Sequence, residues 1–338
     1  MTDLHNPATA TAHANIALIK YWGKADDDLI IPVTSSLSLT LDALYTTTTV
    51  RFGTGGDADT ATLDGAPVTG KPRDRIVALL DLVRRRAGIT DRAEVTSVNT
   101  VPTAAGLASS ASGFAALAGA AAVAAGLDLS ERDLSRLARR GSGSASRSIF
   151  GGLAVWQAGT GDDSSYAEPV ADPTGMADDL AMVVLVLDAG EKSVPSREAM
   201  RRTVQTSPDY RPWVEAHAGH LASALAAVEQ GDLERLGTVA EINAAGMHAT
   251  MRSAVPPVEY LTVQSRAALD AVKTLREEGL PAWATMDAGP NVKVLTRASE
   301  APTVDARLRS MLAEVAPGLS TVVAYAGPGL QVTREVVR

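Results

Sequence analysis

Cysteine is absent from this chain of 338 residues. Its absence excludes disulfide bonds, thiolate metal sites and a cysteine nucleophile together. A chain that needs no disulfide is compatible with a reducing compartment, so the cytoplasm is the expected location.

An excess of positive charge is also lacking, because 31 basic residues face 39 acidic residues and the net charge is −8. Nucleic acids and anionic membranes both attract clustered positive charge, so neither is an expected partner. Apolar runs such as residues 182–187 are far shorter than the roughly 20 residues of a membrane span. Residues 1–11 are polar and lack the charged-then-apolar pattern of a signal peptide.

The length of the chain predicts two domains, because one compact core of ordinary size does not accommodate 338 residues. Hydrophobic residues at 46% and charged residues at 21% are typical of a globular protein. Residues 160–179 are rich in Asp, Ser, Pro and Gly and mark a border. We therefore predict domains at residues 1–180 and 181–338.

Hydrophobic periodicity and turn residues predict an α+β arrangement. The predicted strands are residues 46–52, 93–100, 151–157, 182–188, 282–287, 292–296 and 321–325. The predicted helices are residues 74–86, about 110–125, a short helix after residue 130 that ends near 140, and residues 210–229, 233–251 and 260–278.

Residues 102–113 form a predicted strand-to-helix connection made almost entirely of small residues. Small side chains and a helix start let backbone N–H groups approach an anion, and Ser109, Ser110 and Ser112 add hydroxyls. The connection lacks the lysine of the common nucleotide-binding loop. On composition alone, a tightly packed helix start is as good an interpretation as a phosphate loop.

Four separated segments resemble conserved motifs of one enzyme family. They are Asn-Ile-Ala-Leu-Ile-Lys-Tyr-Trp-Gly-Lys at 15–24, Pro-Thr-Ala-Ala-Gly-Leu-Ala-Ser-Ser at 102–110, Gly-Ser-Gly-Ser-Ala-Ser-Arg-Ser at 141–148 and Met-Asp-Ala-Gly-Pro-Asn-Val-Lys at 286–293. The second resembles the phosphate loop of the GHMP kinase superfamily, and the set together resembles the diphosphomevalonate decarboxylases. Because the segments are far apart, the resemblance covers nearly the whole chain.

This resemblance implies a two-domain GHMP kinase fold of the α+β class, with a ribosomal protein S5 domain 2-like N-terminal domain and a ferredoxin-like C-terminal domain. It also implies a homodimer that uses ATP and Mg²⁺. The implied reaction is ATP-dependent decarboxylation of (R)-5-diphosphomevalonate to isopentenyl diphosphate through 3-O-phosphorylation, in the mevalonate pathway.

The resemblance assigns the catalytic roles to three residues. Asp287 is the family's catalytic base beside the tertiary hydroxyl, and a carboxylate with a pKa near ~4 is expected to orient that hydroxyl and accept its proton late. Lys20 is expected close to Asp287 and the transferred phosphoryl group, and Arg147 is the carboxylate-binding arginine. Without the family match, Asp287 is equally well a turn residue and Lys20 a solvated surface lysine.

The remaining candidate residues are assigned to the substrate diphosphate and to the nucleotide. Those for the diphosphate are Tyr21, Lys24, Ser142, Gly143, Ser144, Ser196 and Arg197. Those for ATP are Ser97, Asn99, Pro102, Ala105, Gly106, Leu107, Ala108, Ser109, Ser110 and Ser112. Phosphates and water are expected to supply most Mg²⁺ ligands, with Ser110 as a candidate, because no carboxylate cluster stands out.

Two positions depart from the family pattern, since Pro195 stands where serine is usual and Thr34 where asparagine is common. Both bear on the shape of the substrate. A mevalonate 3-kinase or a phosphomevalonate decarboxylase on the same scaffold therefore stays open. An inactive ligand-binding homologue is the alternative of another class, although it would be expected to have lost Asp287 or Lys20.

Overall fold

The computed structural model describes residues 6–100, 109–188, 190 and 194–334. The strands are β1 (Ala8–Ile19), β2 (Lys24–Asp26), β3 (Ile31–Pro32), β4 (Ser36–Phe52), β5 (Thr60–Leu63), β6 (Ala66–Pro67), β7 (Ala93–Asn99), β8 (Leu153–Trp156), β9 (Ala167–Pro169), β10 (Leu180–Val186), β11 (Trp283–Met286), β12 (Val292–Arg297), β13 (Ser320–Tyr325) and β14 (Gln331–Arg334). The helices are α1 (Gly70–Ala87), α2 (Ser109–Ala124), α3 (Glu131–Gly141), α4 (Met176–Asp179), α5 (Ser196–Thr206), α6 (Tyr210–Gln230), α7 (Leu233–Arg252), α8 (Val263–Glu277) and α9 (Ala301–Leu312), with a 3-10 helix at Gly143–Ile149.

The larger sheet has eight strands in the order β14-β1-β4-β7-β5-β6, with β8 beside β4 and β9 beside β8. The second half of β4 alternates as a half-buried strand should, with Thr46, Thr48, Val50 and Phe52 facing inward. The alanine-rich α2 packs on β1 and β4 and is buried on nearly every side, because its small side chains allow close approach to the sheet. Helices α1 and α3 flank it in the same core.

The smaller sheet has four antiparallel strands in the order β11-β12-β10-β13. Strand β10 is apolar throughout, and its side chains enter two cores. Helices α8 and α9 cover one face of the sheet. The other face shares a core with β1, β4, α6 and α7, which joins the two sheets.

Strand β1 links the two halves, because it carries apolar side chains into the cores on both sides. It ends at Ile19, immediately before Lys20. Strand β11 ends at Met286, immediately before Asp287. The ends of these two strands therefore position the candidate catalytic residues.

The predicted α+β class is confirmed, and every predicted strand and helix overlaps an observed one. The prediction missed β1, β2, β3, β5, β6, β14, α5 and α9, and the predicted loop at 160–179 contains β9 and α4. Strand β14 pairs with β1 in the larger sheet, although the predicted boundary assigns it to the second domain. The division at 180/181 stays a prediction.

Within the described part of the chain, no helix combines the length and the apolar character that a membrane span requires.

Candidate active site

Asp287 lies between two lysine ammonium groups. Lys20 Nζ donates a hydrogen bond to Asp287 Oδ1 over 2.9 Å, and Lys293 Nζ lies 3.2 Å from Oδ2. The side chains of both lysines are 2% exposed, whereas that of Asp287 is 30% exposed. The carboxylate is therefore the most accessible of the three charged groups, while both lysine side chains are almost fully buried.

Burial and charge act in opposite directions on this cluster. Burial raises the pKa of Asp287, but Lys20 and Lys293 outweigh it and hold that pKa well below its ordinary range. Burial lowers the pKa of Lys20 from 10.5 to about 8, against the opposing effect of Asp287. At neutral pH the cluster is therefore a carboxylate between two ammonium groups.

The main chain around this pair is fixed from α7. Asn243 Oδ1 accepts a hydrogen bond from the Lys20 backbone N–H over 2.8 Å, and His248 Nε2 lies 3.2 Å from the Asp287 carbonyl oxygen. Burial lowers the pKa of His248 to about 4, so its ring is neutral and donates to that carbonyl. Lys20 Nζ also donates to the Ala17 carbonyl oxygen over 2.8 Å.

Arg147 is held in the 3-10 helix by side chains of two strands. Its Nε donates to Ser38 Oγ over 2.9 Å and to Asn15 Oδ1 over 3.2 Å, and its Nη1 donates to Ser36 Oγ. Only 2% of the residue is exposed, and burial lowers its pKa to about 10. The guanidinium therefore stays charged at neutral pH and has a fixed orientation.

One cavity of about 460 Å³ brings most of the candidate residues together. The candidates that line it are Lys20, Tyr21, Lys24, Ser109, Ser110, Ser142, Gly143, Ser144, Arg147, Ser196, Arg197 and Asp287. Lysine and arginine heads on its wall make it suitable for an anionic ligand. The protein is acidic overall, yet this cavity is basic.

Gly143 leaves room for two aromatic rings, that of Tyr21 on the cavity wall and that of the buried Trp156. A Cβ atom at Gly143 would lie 2.9 Å from Tyr21 Cε1 and 2.9 Å from Trp156 Cη2. Tyr21 and Trp156 pack edge to face with ring centroids 4.8 Å apart. Burial raises the pKa of Tyr21, so its hydroxyl is a neutral hydrogen-bond donor.

Two predicted residues on the cavity wall already have partners in the chain. Lys24 Nζ lies 2.7 Å from Oδ1 of the exposed Asp27. Arg197 Nη2 donates to the Gly141 carbonyl oxygen over 3.4 Å. Pro195 precedes the first turn of α5, where a missing N–H costs little, and Ser196 begins that helix.

Three predicted nucleotide residues do not line the cavity. Ser112 Oγ lies 2.7 Å from Thr46 Oγ1, which donates to Asn99 Oδ1 over 2.6 Å. Ser97 Oγ lies 2.9 Å from Thr48 Oγ1. The buried hydroxyl of Ser112 thus joins α2 to the sheet, and the assignment of Ser112 to ATP stays a prediction. Pro102, Ala105, Gly106, Leu107 and Ala108 lie outside the described residues.

The sequence interpretation missed three residues of the site, namely Asn15, Arg75 and Lys293. Asn15 and Arg75 line the cavity, and Lys293 contacts Asp287 from behind. A signal for Lys293 was available, because a lysine inside the apolar run 292–296 must find a counter-charge if the strand is buried. Arg75 gave no such signal on its mixed polar helix.

Across the described ranges, no group of three or more His, Cys, Asp or Glu side chains is arranged to hold a metal ion. Near α2, serine hydroxyls on the cavity wall could serve as neutral oxygen ligands of a metal ion. Ser110 Oγ and Ser142 Oγ lie 3.3 Å apart there. Such donors fit a Mg²⁺ ion held mainly by the phosphates of a ligand.

Two domain families match the sequence, one on each half. Residues 12–167 match the diphosphomevalonate decarboxylase-like N-terminal domain, and residues 182–329 match the mevalonate 5-diphosphate decarboxylase C-terminal domain. Together the two matches span most of the chain.

Full-length relatives agree with these matches. Diphosphomevalonate decarboxylase from Aspergillus fumigatus is 37% identical over 325 residues, which cover 90% of this chain and 80% of the relative. Mevalonate diphosphate decarboxylase from Staphylococcus aureus has a TM-score of 0.92 and 44% identity, with 97% of this chain and 98% of that chain covered. A structure of MDDEF in complex with MVAPP, AMPPCP and magnesium has a TM-score of 0.91 and 47% identity, with 98% and 99% covered. These similarities confirm the GHMP kinase fold.

Proposed function

The chain belongs to the diphosphomevalonate decarboxylase family, and we propose that it converts (R)-5-diphosphomevalonate and ATP to isopentenyl diphosphate, ADP, phosphate and carbon dioxide. The observation that carries this proposal is the Asp287 carboxylate between two ammonium groups, in one cavity with the buried Arg147. The relative described as a complex with MVAPP, AMPPCP and magnesium supports the substrate and the nucleotide. The reaction belongs to the mevalonate pathway.

The chemistry explains why a decarboxylase uses a kinase fold. A 3-hydroxy acid does not readily lose carbon dioxide, because the electrons of the breaking C–C bond have no acceptor. Transfer of the γ-phosphoryl group to the tertiary hydroxyl turns that oxygen into part of a leaving group. When phosphate departs, the electrons of the C–C bond form the alkene and carbon dioxide is released.

Asp287 orients the tertiary hydroxyl for phosphoryl transfer. Its pKa is held well below the ordinary range by Lys20 and Lys293 against the effect of burial, so it is a weak base. A loose phosphoryl-transfer transition state requires little activation of the nucleophile. The carboxylate therefore accepts a hydrogen bond from the hydroxyl first and receives the proton late.

Lys20 and Arg147 act on the two negative groups next to the reacting carbon. The Lys20 ammonium, on the cavity wall beside Asp287, offsets charge on the transferred phosphoryl oxygens. Arg147 binds the substrate carboxylate, for which a planar guanidinium is well suited. Because this pairing weakens as the carboxylate loses its charge, Arg147 positions the group more than it accelerates carbon dioxide release.

The substrate diphosphate is assigned to the remaining basic and hydroxyl-bearing residues that line the cavity. The proposed contacts are Tyr21, Lys24, Arg75, Ser142, Gly143, Ser144, Ser196 and Arg197. Arg75 joins the predicted set because it lines the cavity together with Arg197. Burial, with a further contribution from the charge of Arg197, lowers the pKa of Arg75 to about 10. An anion between two guanidinium groups would relieve their repulsion.

ATP is assigned to the segment at the start of α2, with Mg²⁺ neutralising its phosphates. Ser109 and Ser110 line the cavity at the first turn of that helix, where N–H groups favour an anion. Ser97 and Asn99 stay proposed for the adenine or ribose side, and Ser110 is the proposed protein ligand of Mg²⁺. Bound ATP with Mg²⁺ supplies the phosphoryl group and charge neutralisation.

A homodimer, a cytoplasmic location and domains at 1–180 and 181–338 complete the proposal. The dimer is the assembly implied by the family resemblance, and the cytoplasm suits a chain without cysteine. Light scattering after size exclusion measures the assembly directly. A single 35.0 kDa species at micromolar concentration would contradict the dimer.

The substrate is tested by offering three acceptors separately. Purified protein with ATP and Mg²⁺ receives mevalonate, its 5-phosphate or its 5-diphosphate, while ADP and carbon dioxide are followed together. We expect equal amounts of both products, and only with the 5-diphosphate. ADP without carbon dioxide would identify a 3-kinase, and turnover of the monophosphate alone would identify a phosphomevalonate decarboxylase.

A further inference from the structure

Lys293 stands behind the catalytic carboxylate without reaching the cavity. Its Nζ is 3.2 Å from Asp287 Oδ2 and also donates to the Asn291 carbonyl oxygen over 3.3 Å. It belongs to β12, whose residues from Val292 to Thr296 are all buried. The substrate therefore does not meet Lys293, and its effect on the reaction must pass through Asp287.

The two lysines approach Asp287 from different sheets and take different oxygens. Lys20 follows β1 in the larger sheet and contacts Oδ1, whereas Lys293 lies in the smaller sheet and contacts Oδ2. Two fixed contacts on one carboxylate restrict rotation of its plane. The side chain is then ready to receive a hydroxyl without losing rotamer freedom when substrate binds.

We propose that Lys293 is a positioning residue, which holds the Asp287 carboxylate ionised and oriented by binding the oxygen opposite the one that Lys20 contacts. A buried ammonium is costly unless it is paired, and Asp287 is the anion within reach of Lys293 among the described residues. Protonation of Asp287 would leave two enclosed ammonium groups without a counter-ion. Lys293 thereby disfavours early proton transfer and favours the late transfer proposed above.

The same arrangement places Lys293 close to the charge of Lys20. The titratable groups that face the Lys20–Asp287 pair are Lys293 from β12, Arg147 from the 3-10 helix and His248 from α7. His248 is neutral above pH 5, and Arg147 keeps its charge below pH 9. Lys20 is therefore the group that titrates near pH 8, and burial followed by the charges of Lys293 and Arg147 lowers its pKa.

The kinetic test is K293M, which replaces the ammonium by an apolar chain of similar length. We expect kcat to fall about 10- to 100-fold because the carboxylate is no longer fixed, with both KM values changed much less. The alkaline limb of kcat/KM should move to higher pH, because Lys20 loses a neighbouring cation. The control K273M changes an exposed lysine of α8 and should match the wild type.

A kcat of K293M that stays at the wild-type value would overturn the positioning role of Lys293, and an alkaline limb that stays at the wild-type pH would contradict its charge interaction with Lys20. This test rests on the proposed function. If wild-type protein does not turn over the 5-diphosphate, the function fails and the stability test below still decides the role of Lys293.

The stability test needs no substrate and compares K293M in two backgrounds. In wild-type protein K293M should lower Tm, because it removes a partner of Asp287. In D287N protein the same change should raise Tm. The Lys293 ammonium has already lost its carboxylate partner there, and K293M removes this unpaired buried charge. A lower Tm in both backgrounds would show that Lys293 only packs. If K293M alone is too unstable for kinetics, the D287N/K293M protein still decides by this sign.

Discussion

Lys20 Nζ donates to Asp287 Oδ1 over 2.9 Å, although the two residues are 267 positions apart in the chain. The contact joins the end of β1 in the larger sheet to the end of β11 in the smaller sheet. The site therefore exists only while both sheets are packed on their shared core. Opening of that core removes the ion pair and the catalytic geometry together.

D287N should abolish the reaction, with kcat lower by about 10²–10⁴-fold. Asparagine cannot accept the proton, and it leaves Lys20 and Lys293 without their counter-charge. We therefore also expect a stability loss of about 3 kcal/mol, measured by urea unfolding. The control D179N changes an exposed aspartate at 47% side-chain exposure and should keep wild-type turnover. Turnover of D287N within tenfold of the wild type would remove Asp287 from the mechanism.

The alkaline limb of kcat/KM should have an apparent pKa near 8, because burial lowers the pKa of Lys20 to that value. The catalytic form of Lys20 is the ammonium, so activity is present below this pH and is lost as the pH rises through it. Initial rates at subsaturating 5-diphosphomevalonate from pH 7 to 10 give the profile. A rate that stays level beyond pH 9.5 would exclude an essential Lys20 ammonium.

The contribution of Lys20 to stability should increase with pH, whereas the activity that depends on Lys20 decreases. Between about 8, the folded value, and 10.5, the ordinary value, the unfolded chain holds a proton at Lys20 that the folded protein has released. The contribution of Lys20 to the free energy of unfolding therefore rises with pH in this window. Urea unfolding of the wild type and K20M at several pH values measures it. A difference between the two proteins that is constant with pH would contradict the lowered pKa.

R147K should lower kcat/KM for the 5-diphosphate by about 10- to 100-fold, which corresponds to the loss of charged hydrogen bonds worth about 1.5–3 kcal/mol. A single ammonium cannot contact Asn15, Ser36 and Ser38 and still present a planar fork to a carboxylate. The KM for ATP should stay within twofold of the wild type. R211K, at a side chain 89% exposed, is the matched control. An equal loss toward ATP would mean that R147K disturbs the whole cavity.

G143A should raise the KM for the 5-diphosphate about tenfold, because its Cβ would lie 2.9 Å from atoms of Tyr21 and Trp156 and must displace a ring. Of these two rings, that of Tyr21 lines the cavity at the proposed diphosphate site. G161A is the matched control, since no atom lies within 4 Å of a Cβ there. Unchanged kinetics of G143A would show that the wall tolerates movement.

Periodicity predicted most elements because burial of one face leaves a regular pattern. Residues 233–251 repeat apolar side chains at helical spacing, and the structure has a helix at Leu233–Arg252. Strand β1 was missed although residues 8–15 alternate alanine with Thr, His or Asn, because alanine has a low preference for strands and makes such an alternation a weak signal. Helix α9 was missed because its first turn follows the polar segment 297–300 and contains a proline.

The sequence by itself determined the family, the α+β class and the segments that carry the chemistry, because these depend on residue identity and local spacing. Only the tertiary structure decided that Lys293 shares Asp287 with Lys20, that Arg75 faces the cavity, and that Ser112 faces the sheet instead. Those outcomes depend on which strand ends meet across two sheets and on how deeply each charge is buried. Distances between atoms hundreds of positions apart, and the dielectric surroundings that shift a pKa, arise only when the cores are packed.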